Sequence, residues 1–216
     1  MLLSDLRDEE IRSALIDSLA VDGVVGCGTD ATSPFVIQEL PLRGGFVRAD
    51  VAVIGPLALH IYEIKSDRDR LDRLPDQLRS YACVADHVTL VVGWAHAAEV
   101  LRTAPRWCEV WLAERTAEGK VNFIPLRACR ANPDLSPNGL ASLLSREEAV
   151  GILTQMEADV GFRSKRSDVL QARISEELLK SHRHPSLVLA QLRQLVHACL
   201  SRRDQTVERG SRKCDD

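Results

Sequence analysis

The chain has 216 residues, of which 45% are hydrophobic and 27% are charged. One domain with an appendage is expected, because a typical domain takes about 150 residues, and the composition excludes disordered and collagen-like proteins. No segment reaches the roughly 18 to 20 consecutive apolar residues of a membrane helix. The start, MLLSDLRDEEIRSAL, is acidic where a secretory signal is basic and then apolar, so we expect a cytoplasmic protein without a membrane partner.

The net charge of -3 conceals an asymmetry along the chain. Residues 1–159 carry 16 basic and 24 acidic side chains, whereas residues 160–216 carry 12 basic and 7 acidic ones. A basic segment is compatible with nucleic-acid binding and equally with a solvated helical face. The six cysteines form no C-x-x-C pair, so neither a disulfide framework nor a cysteine-rich zinc site is expected.

Hydrophobic periodicity predicts that helices and strands alternate through the first part of the chain. A helix over 5–20 is followed by a glycine-rich loop at 23–28. The next three apolar runs are separated by Gly44-Gly45 and by Gly55-Pro56, which predicts an antiparallel meander of three strands. The predicted strands are 35–40, 46–54 and 57–65, and the later elements are a helix at 69–84, a strand at 87–94, a helix at 95–104, and strands at 108–114 and 120–126.

The turn-rich segment RACRANPDLSPNG predicts a boundary, which makes residues 1–130 an α/β core and residues 131–203 a helical C-terminal extension. Ser145 and Glu148 have the spacing of a capping box, so a helix is predicted to begin there. The remaining predicted segments are helices at 167–181 and 186–202 and a disordered tail at 204–216.

The turns of the meander also determine which residues face each other across the strands. The first turn places Glu39 opposite Asp50, and the second places Asp50 opposite Glu63. The second turn likewise places Arg48 opposite Lys65. Because residues two apart on a strand share a face, one side of the sheet is predicted to carry Arg48, Asp50, Glu63 and Lys65.

A partly buried row of carboxylates repels itself and is stabilised by a cation. Mg²⁺ is the expected cation, because it prefers carboxylate oxygens and retains several waters. Lys65 beside such a site would stabilise charge that develops on a phosphate, which is the chemistry of metal-assisted phosphodiester hydrolysis. The Glu-x-Lys pattern alone is weak, since a solvated ion pair has the same sequence.

Asp50, Glu63-Ile64-Lys65 and the helix, three-strand meander, helix, strand order resemble the PD-(D/E)XK nuclease superfamily. Arg48-Ala49-Asp50 and Gln77-Leu-Arg-Ser-Tyr81 resemble the G-R-x-D and Q-x-x-x-Y signatures of RecB-like and CRISPR-associated exonucleases. VRADVAVI and YEIKSDRDRLDRLPDQLRSY resemble, more closely, a small bacterial family of this superfamily.

The resemblance implies a restriction-endonuclease-like core and a site that binds Mg²⁺ or Mn²⁺. Asp50 and Glu63 are then metal ligands with the Ile64 carbonyl as a third, Lys65 is the catalytic lysine, and Gln77 positions the site or the nucleic acid. The first helix has glutamates where RecB-like relatives often have a histidine. The additional candidate residues are Glu39, Glu10, Tyr81 and Arg48.

Two further residues receive structural interpretations. Tyr81 is expected to be a core aromatic more than a substrate contact, and Asp69 is expected to cap the second helix. No iron–sulfur cluster is expected, because Cys27 has no trio of cysteines downstream.

Two functions from different classes follow. The first is a metal-dependent nuclease whose partner is nucleic acid, with DNA expected. The alternative is a noncatalytic nucleic-acid- or protein-binding module that retains the nuclease fold. The sequence leaves exonuclease or endonuclease action and the oligomeric state open.

Overall fold

The computed structural model describes residues 6–21, 33–182 and 184–211, with the side chains of 205–211 left out. Within these ranges the chain is a mixed α/β protein with one six-stranded sheet and seven α-helices. The helices are α1 (Asp8–Val21), α2 (Leu74–Val84), α3 (Trp94–Thr103), α4 (Pro137–Ala141), α5 (Arg146–Gln155), α6 (Ser167–Ser181) and α7 (Pro185–Ser211). The predicted glycine-rich loop at 23–28, Cys27 and Cys214 lie outside the described residues.

The sheet follows the order of the sequence, β1-β2-β3-β4-β5-β6. Strands β1 to β3 form the predicted antiparallel meander, β3, β4 and β5 are parallel, and β6 returns antiparallel to β5. The strands are β1 (Phe35–Leu42), β2 (Val47–Ile54), β3 (Leu59–Lys65), β4 (His87–Val92), β5 (Glu109–Arg115) and β6 (Val121–Arg127). Helices α2 and α3 make the two parallel crossovers, which antiparallel hairpins cannot do.

Helices cover the sheet on both faces. On one face, Ile11 and Leu15 of α1 are fully buried in a cluster with Val51, Tyr62 and Ile64. On the other face, apolar side chains of the sheet share a larger cluster with helices α2 to α7. Asp50 of β2 and Glu63 and Lys65 of β3 therefore lie between two helical layers, where burial makes uncompensated charge costly.

The C-terminal helices belong to the main core. Leu170, Ile174 and Leu178 of α6 and Leu192 and Val196 of α7 are at most 2% exposed within the same cluster as the sheet. The apolar faces of these two helices are thus packed into the same core as the sheet. None of the helices in the described ranges is long and apolar enough to cross a bilayer.

Helix boundaries differ from the predicted ones in three places. Helix α2 begins at Leu74 and not at 69, so Asp69 is not its cap; its Oδ2 accepts hydrogen bonds from Ser66 N and Oγ. The short helix α4 lies inside the segment predicted to be a loop, because Ser136 caps it and accepts from Gly139 N.

The last helix also departs from its prediction. Residues 204–211, predicted to be part of a disordered tail, continue α7 to Ser211; no proline interrupts this segment, and it follows a buried part of the same helix. Residues 212–216 lie outside the described residues. The capping box is confirmed, since Ser145 Oγ accepts from Glu148 N and Glu148 Oε2 accepts from Ser145 N.

Candidate functional site

The strand registers around the candidate carboxylates are the predicted ones. Leu40 pairs with Ala49 between β1 and β2, and Val51 pairs with Tyr62 between β2 and β3. The regular pairing of β2 with β3 stops at Val51, the residue that follows Asp50. Beyond that point Asp50 Oδ2 accepts a hydrogen bond from the Ile64 amide at 2.8 Å. A side chain has replaced a backbone acceptor, so the two strands separate where the acidic residues lie.

The alternation of side chains is interrupted beside Asp50. Ala49 and Ala52 both belong to the larger cluster, although residues three apart should face opposite sides of a regular strand. Glu39, which the register places opposite Asp50, has a left-handed backbone with φ of 54°. The regular alternation on which the prediction of one shared face relies is therefore interrupted at this point of β2.

Glu63 is the centre of a buried polar cluster on the α2 side of β3. Its side chain is fully buried, and its Oε1 accepts from Lys65 Nζ at 2.5 Å and from Gln77 Nε2 at 2.6 Å. The hydroxyl of Tyr81 donates to Glu63 Oε2 and lies 3.0 Å from the Arg48 carbonyl. Gln77 and Tyr81 are four residues apart on one face of α2, which explains why both reach the same carboxylate.

Tyr81 has the expected position of a core aromatic and a contact with Glu63 that the sequence analysis did not predict. Its ring is fully buried, as expected for a core aromatic, and its hydroxyl fixes the orientation of Glu63. Burial, followed by the charge of Glu63, raises the pKa of Tyr81, so the phenol stays protonated and remains a donor to this carboxylate.

Arg12 of α1 is the partner of Asp50 that the sequence analysis did not identify. Its Nη2 lies 3.2 Å from Asp50 Oδ1, and its Nη1 donates to the Asp50 carbonyl at 2.8 Å. The same guanidinium contacts Glu39 at 2.9 Å and Asp8 at 2.9 Å. The only signal in the sequence is the spacing of Asp8 and Arg12, which is a common pattern on helix surfaces.

The two carboxylates at the centre of the site are both harder to ionise than usual. Burial, followed by repulsion from Glu63, raises the pKa of Asp50 to about 7. Burial also raises the pKa of Glu63, although Lys65 beside it opposes that effect. The positive charges of Arg12 and Lys65 therefore compensate the pair incompletely, and an added cation would stabilise its ionised form.

The donor set fits a hard divalent cation. Asp50, Glu63 and the Ile64 carbonyl offer oxygen ligands, which Mg²⁺ and Mn²⁺ prefer. Gln77 Oε1 is buried without a hydrogen-bond partner beside Glu63, and a metal-bound water is a donor that would satisfy it. Within the described ranges, no group of three or more His, Cys, Asp or Glu side chains is placed to hold a metal. A metal ion at this place would therefore need a main-chain ligand in addition to the two carboxylates.

The remaining candidates lie at the margin of the site or away from it. Glu39 is exposed and contacts the site only through Arg12. The side chain of Arg48 is exposed, and its contact with the cluster is made by its carbonyl. Glu10 binds Arg115 at 2.6 Å and accepts from the amide of Arg7, so it is not brought to Asp50.

Comparisons with known proteins find a family and a relative that are named for a phage protein. The model of one family, described as Bacteriophage P4 protein cII, matches residues 1–209. Protein cII of Enterobacteria phage P4 is 36% identical over 95 residues, which are 44% of this chain and 33% of that protein. The chain thus matches about a third of the length of that relative.

A solved structure is also similar. It is a protein of unknown function from Silicibacter pomeroyi, with a TM-score of 0.41 and 16% identity, and the match covers 76% of this chain and 97% of that one.

Proposed function

We propose that this chain, which belongs to the Bacteriophage P4 protein cII family, is a metal-dependent nuclease that hydrolyses phosphodiester bonds of DNA. The observation that carries the proposal is the fully buried Glu63, held by Lys65, Gln77 and Tyr81 beside an Asp50 whose pKa is about 7. Buried carboxylates with perturbed pKa values, grouped around a lysine, are typical of catalytic sites.

The fold supports the assignment to the PD-(D/E)XK superfamily with a restriction-endonuclease-like core. A helix, a three-stranded antiparallel meander, a crossover helix and a parallel strand follow one another in the order that the resemblance implies. The candidate residues lie on the second and third strands, at the point where those strands separate.

The residues of the site have separate tasks in this proposal. Asp50, Glu63 and the Ile64 carbonyl hold Mg²⁺ or Mn²⁺. Such a cation polarises a phosphate and lowers the pKa of a bound water. Lys65 stabilises negative charge that develops on the phosphate during attack. Gln77 keeps Glu63 in position, as its short hydrogen bond to Oε1 indicates.

Arg12 has a positioning task. It binds both the carboxylate and the carbonyl of Asp50, so it fixes the backbone and the side chain of that residue together. Since the Ile64 amide holds the other carboxylate oxygen, Asp50 is pre-organised before any ligand arrives. Pre-organisation of a ligand reduces the entropic cost of binding a cation.

One observation favours the alternative of a noncatalytic binding module. Arg12 and Lys65 form ion pairs with Asp50 and Glu63 that stabilise the cluster without a metal. A module that only binds nucleic acid or protein would use these pairs as structural supports. The two functions differ in one measurable property, which is cleavage that depends on a divalent cation.

The test is a cleavage assay on linear, circular and single-stranded DNA with MgCl₂, MnCl₂ or EDTA. Cleavage is expected only with a divalent cation, and Glu63→Ala should abolish it because a ligand is lost. Glu176→Ala, which removes an exposed carboxylate of α6, is the matched control and should cleave like the parent protein. Circular dichroism checks that both variants are folded.

Two results would contradict the nuclease. Cleavage by Glu63→Ala at the parental rate would place the chemistry elsewhere. A folded parent protein that binds DNA but cleaves none of the substrates with either metal would support the noncatalytic module.

A further inference from the structure

The turn between β1 and β2 has an unusual surface. Arg43, Gly44 and Gly45 have φ of 49°, 68° and 93°, so a non-glycine residue occupies the left-handed region at the start of the turn. The side chain of Phe46, which follows directly, is 92% exposed. We call residues 43–46 the β1–β2 turn. A phenyl ring presented to solvent by a constrained turn gains nothing for the fold.

The β1–β2 turn lies at the end of the sheet that carries the candidate site. Pro41 and Arg48 pair on either side of the turn, and the Arg48 carbonyl accepts from the Tyr81 hydroxyl that also binds Glu63. Arg43 also approaches α2 directly, because its Nη1 lies 3.5 Å from Ser80 Oγ, next to Tyr81. The turn and the buried carboxylates are thus neighbours.

A basic cleft begins at the same turn. It has a volume of about 830 Å³ and is lined by four basic side chains, Arg43, Arg146, Lys165 and Arg166, with Asp168 as the acidic one. All four basic side chains are exposed. We call this feature the basic cleft. Its charge matches a polyanion, because lysine and arginine side chains are the usual contacts of backbone phosphates.

A smaller cavity adjoins the basic cleft beside α2. It has a volume of about 330 Å³, shares Arg43 and Ser142 with the basic cleft, and is also lined by Arg79 and Ser80. Arg43 and Arg79 thus place two basic side chains on the side of α2 that faces the β1–β2 turn.

We propose that the β1–β2 turn and the basic cleft form a binding surface for single-stranded DNA, with Phe46 stacked on an unpaired base and the cleft side chains on phosphates. This inference rests on the proposed nuclease function and specifies its substrate as an unpaired strand. Stacking on an aromatic ring requires an accessible base face, which single strands offer and intact duplexes do not.

The test is fluorescence anisotropy with a labelled oligothymidylate of 20 nucleotides and a labelled blunt duplex of 20 base pairs. EDTA is present throughout, so that binding is measured without cleavage. The parent protein should bind the single strand more tightly than the duplex. Phe46→Ala should weaken binding to the single strand by about tenfold. Phe46→Trp should bind like the parent protein, because either aromatic ring stacks on a base.

Matched controls separate the surface from general effects. Leu57→Ala removes another exposed apolar side chain, in the turn at the opposite end of β2, and should bind like the parent protein. Removing both Lys165 and Arg166 should reduce the slope of log affinity against log salt by about 0.7 per lost contact. The double substitution Arg102→Ala, Arg106→Ala removes the same charge from the last turn of α3 and the loop after it, and should leave that slope unchanged.

Three results would overturn the inference: no binding of either oligonucleotide, parental binding by Phe46→Ala, or a dimer in light scattering that Phe46→Ala dissociates. These outcomes are distinct from failure of the nuclease, which is a loss of metal-dependent cleavage. If Phe46→Ala and the cleft variant bind normally while Glu63→Ala stops cleavage, the nuclease stands and the surface is wrong. If the surface binds single strands but no metal supports cleavage, the surface stands without the nuclease.

Discussion

The charge of Asp50 sets how the stability of the metal-free protein depends on pH. Its pKa is raised from 3.8 to about 7, because of burial first and repulsion by Glu63 second. A carboxyl group with a raised pKa stabilises the folded state while it stays protonated. This contribution to the free energy of unfolding is fully present below pH 3.8 and is lost as the pH rises from there through about 7. At about 1.4 kcal/mol per pKa unit, the total loss is about 4 kcal/mol.

Asp50→Asn should remove this dependence, since asparagine does not ionise. Of the total loss of stability, about 2.5 kcal/mol occurs between pH 5 and pH 8. The substitution also changes the hydrogen bonds with Arg12 and Ile64, but their cost is the same at both pH values and cancels in the difference. Titrating groups that do not interact with Asp50 cancel in the same way, whereas Glu63, which repels Asp50, is easier to ionise in the variant.

The assay is urea unfolding in EDTA, followed by circular dichroism, for the parent protein and Asp50→Asn at pH 5 and pH 8. The parent should lose about 2.5 kcal/mol more than the variant over this interval. Adding MgCl₂ at pH 8 should stabilise the parent, by about 2.7 kcal/mol at a hundred times the dissociation constant, and the variant much less. Equal pH dependence in the two proteins would refute the reasoning, because Arg12 would then compensate Asp50 fully.

Three further substitutions or deletions test the site and its support. Lys65→Met should lower the turnover of DNA cleavage by about 10² or more while calorimetric Mg²⁺ affinity changes little; equal losses of both would contradict a role in chemistry. Gly139→Ala should destabilise the fold by about 3 kcal/mol in urea unfolding, because overpacking costs this much and its Cβ would lie 1.9 Å from the Cys83 carbonyl oxygen. Gly151→Ala, with open space around its Cβ, is the control and should not destabilise. Deleting residues 160–216 should give a protein that is insoluble or melts far below the parent, and a stable truncation would refute this.

The strand registers could be predicted because both turns are short and nearly symmetric. Gly44-Gly45 and Gly55-Pro56 leave little choice of which residues pair, and the structure has both predicted registers. The contacts of Gln77 and Tyr81 with Glu63 were also accessible, since their spacing puts both on one helix face.

The surroundings of Asp50 could not be predicted in the same way. The contact with Arg12 joins residues 38 positions apart, and its formation depends on how α1 packs across the sheet. The left-handed backbone of Glu39 and the interrupted alternation at Ala49 are irregularities of the strands, which a period-two pattern does not encode.

In the basic C-terminal region, core packing and positive charge belong to different residues, although counts along the sequence combine them. Helices α6 and α7 direct apolar rows into the core, so most of the region serves stability. The basic cleft receives Lys165 and Arg166, which lie directly before α6 and are exposed. The net charge of this region therefore overstates how many of its residues belong to the proposed DNA-binding surface. A deletion removes support and charge together, whereas substitutions at these two positions remove charge alone, and only the substitutions measure the contribution of this region to DNA affinity.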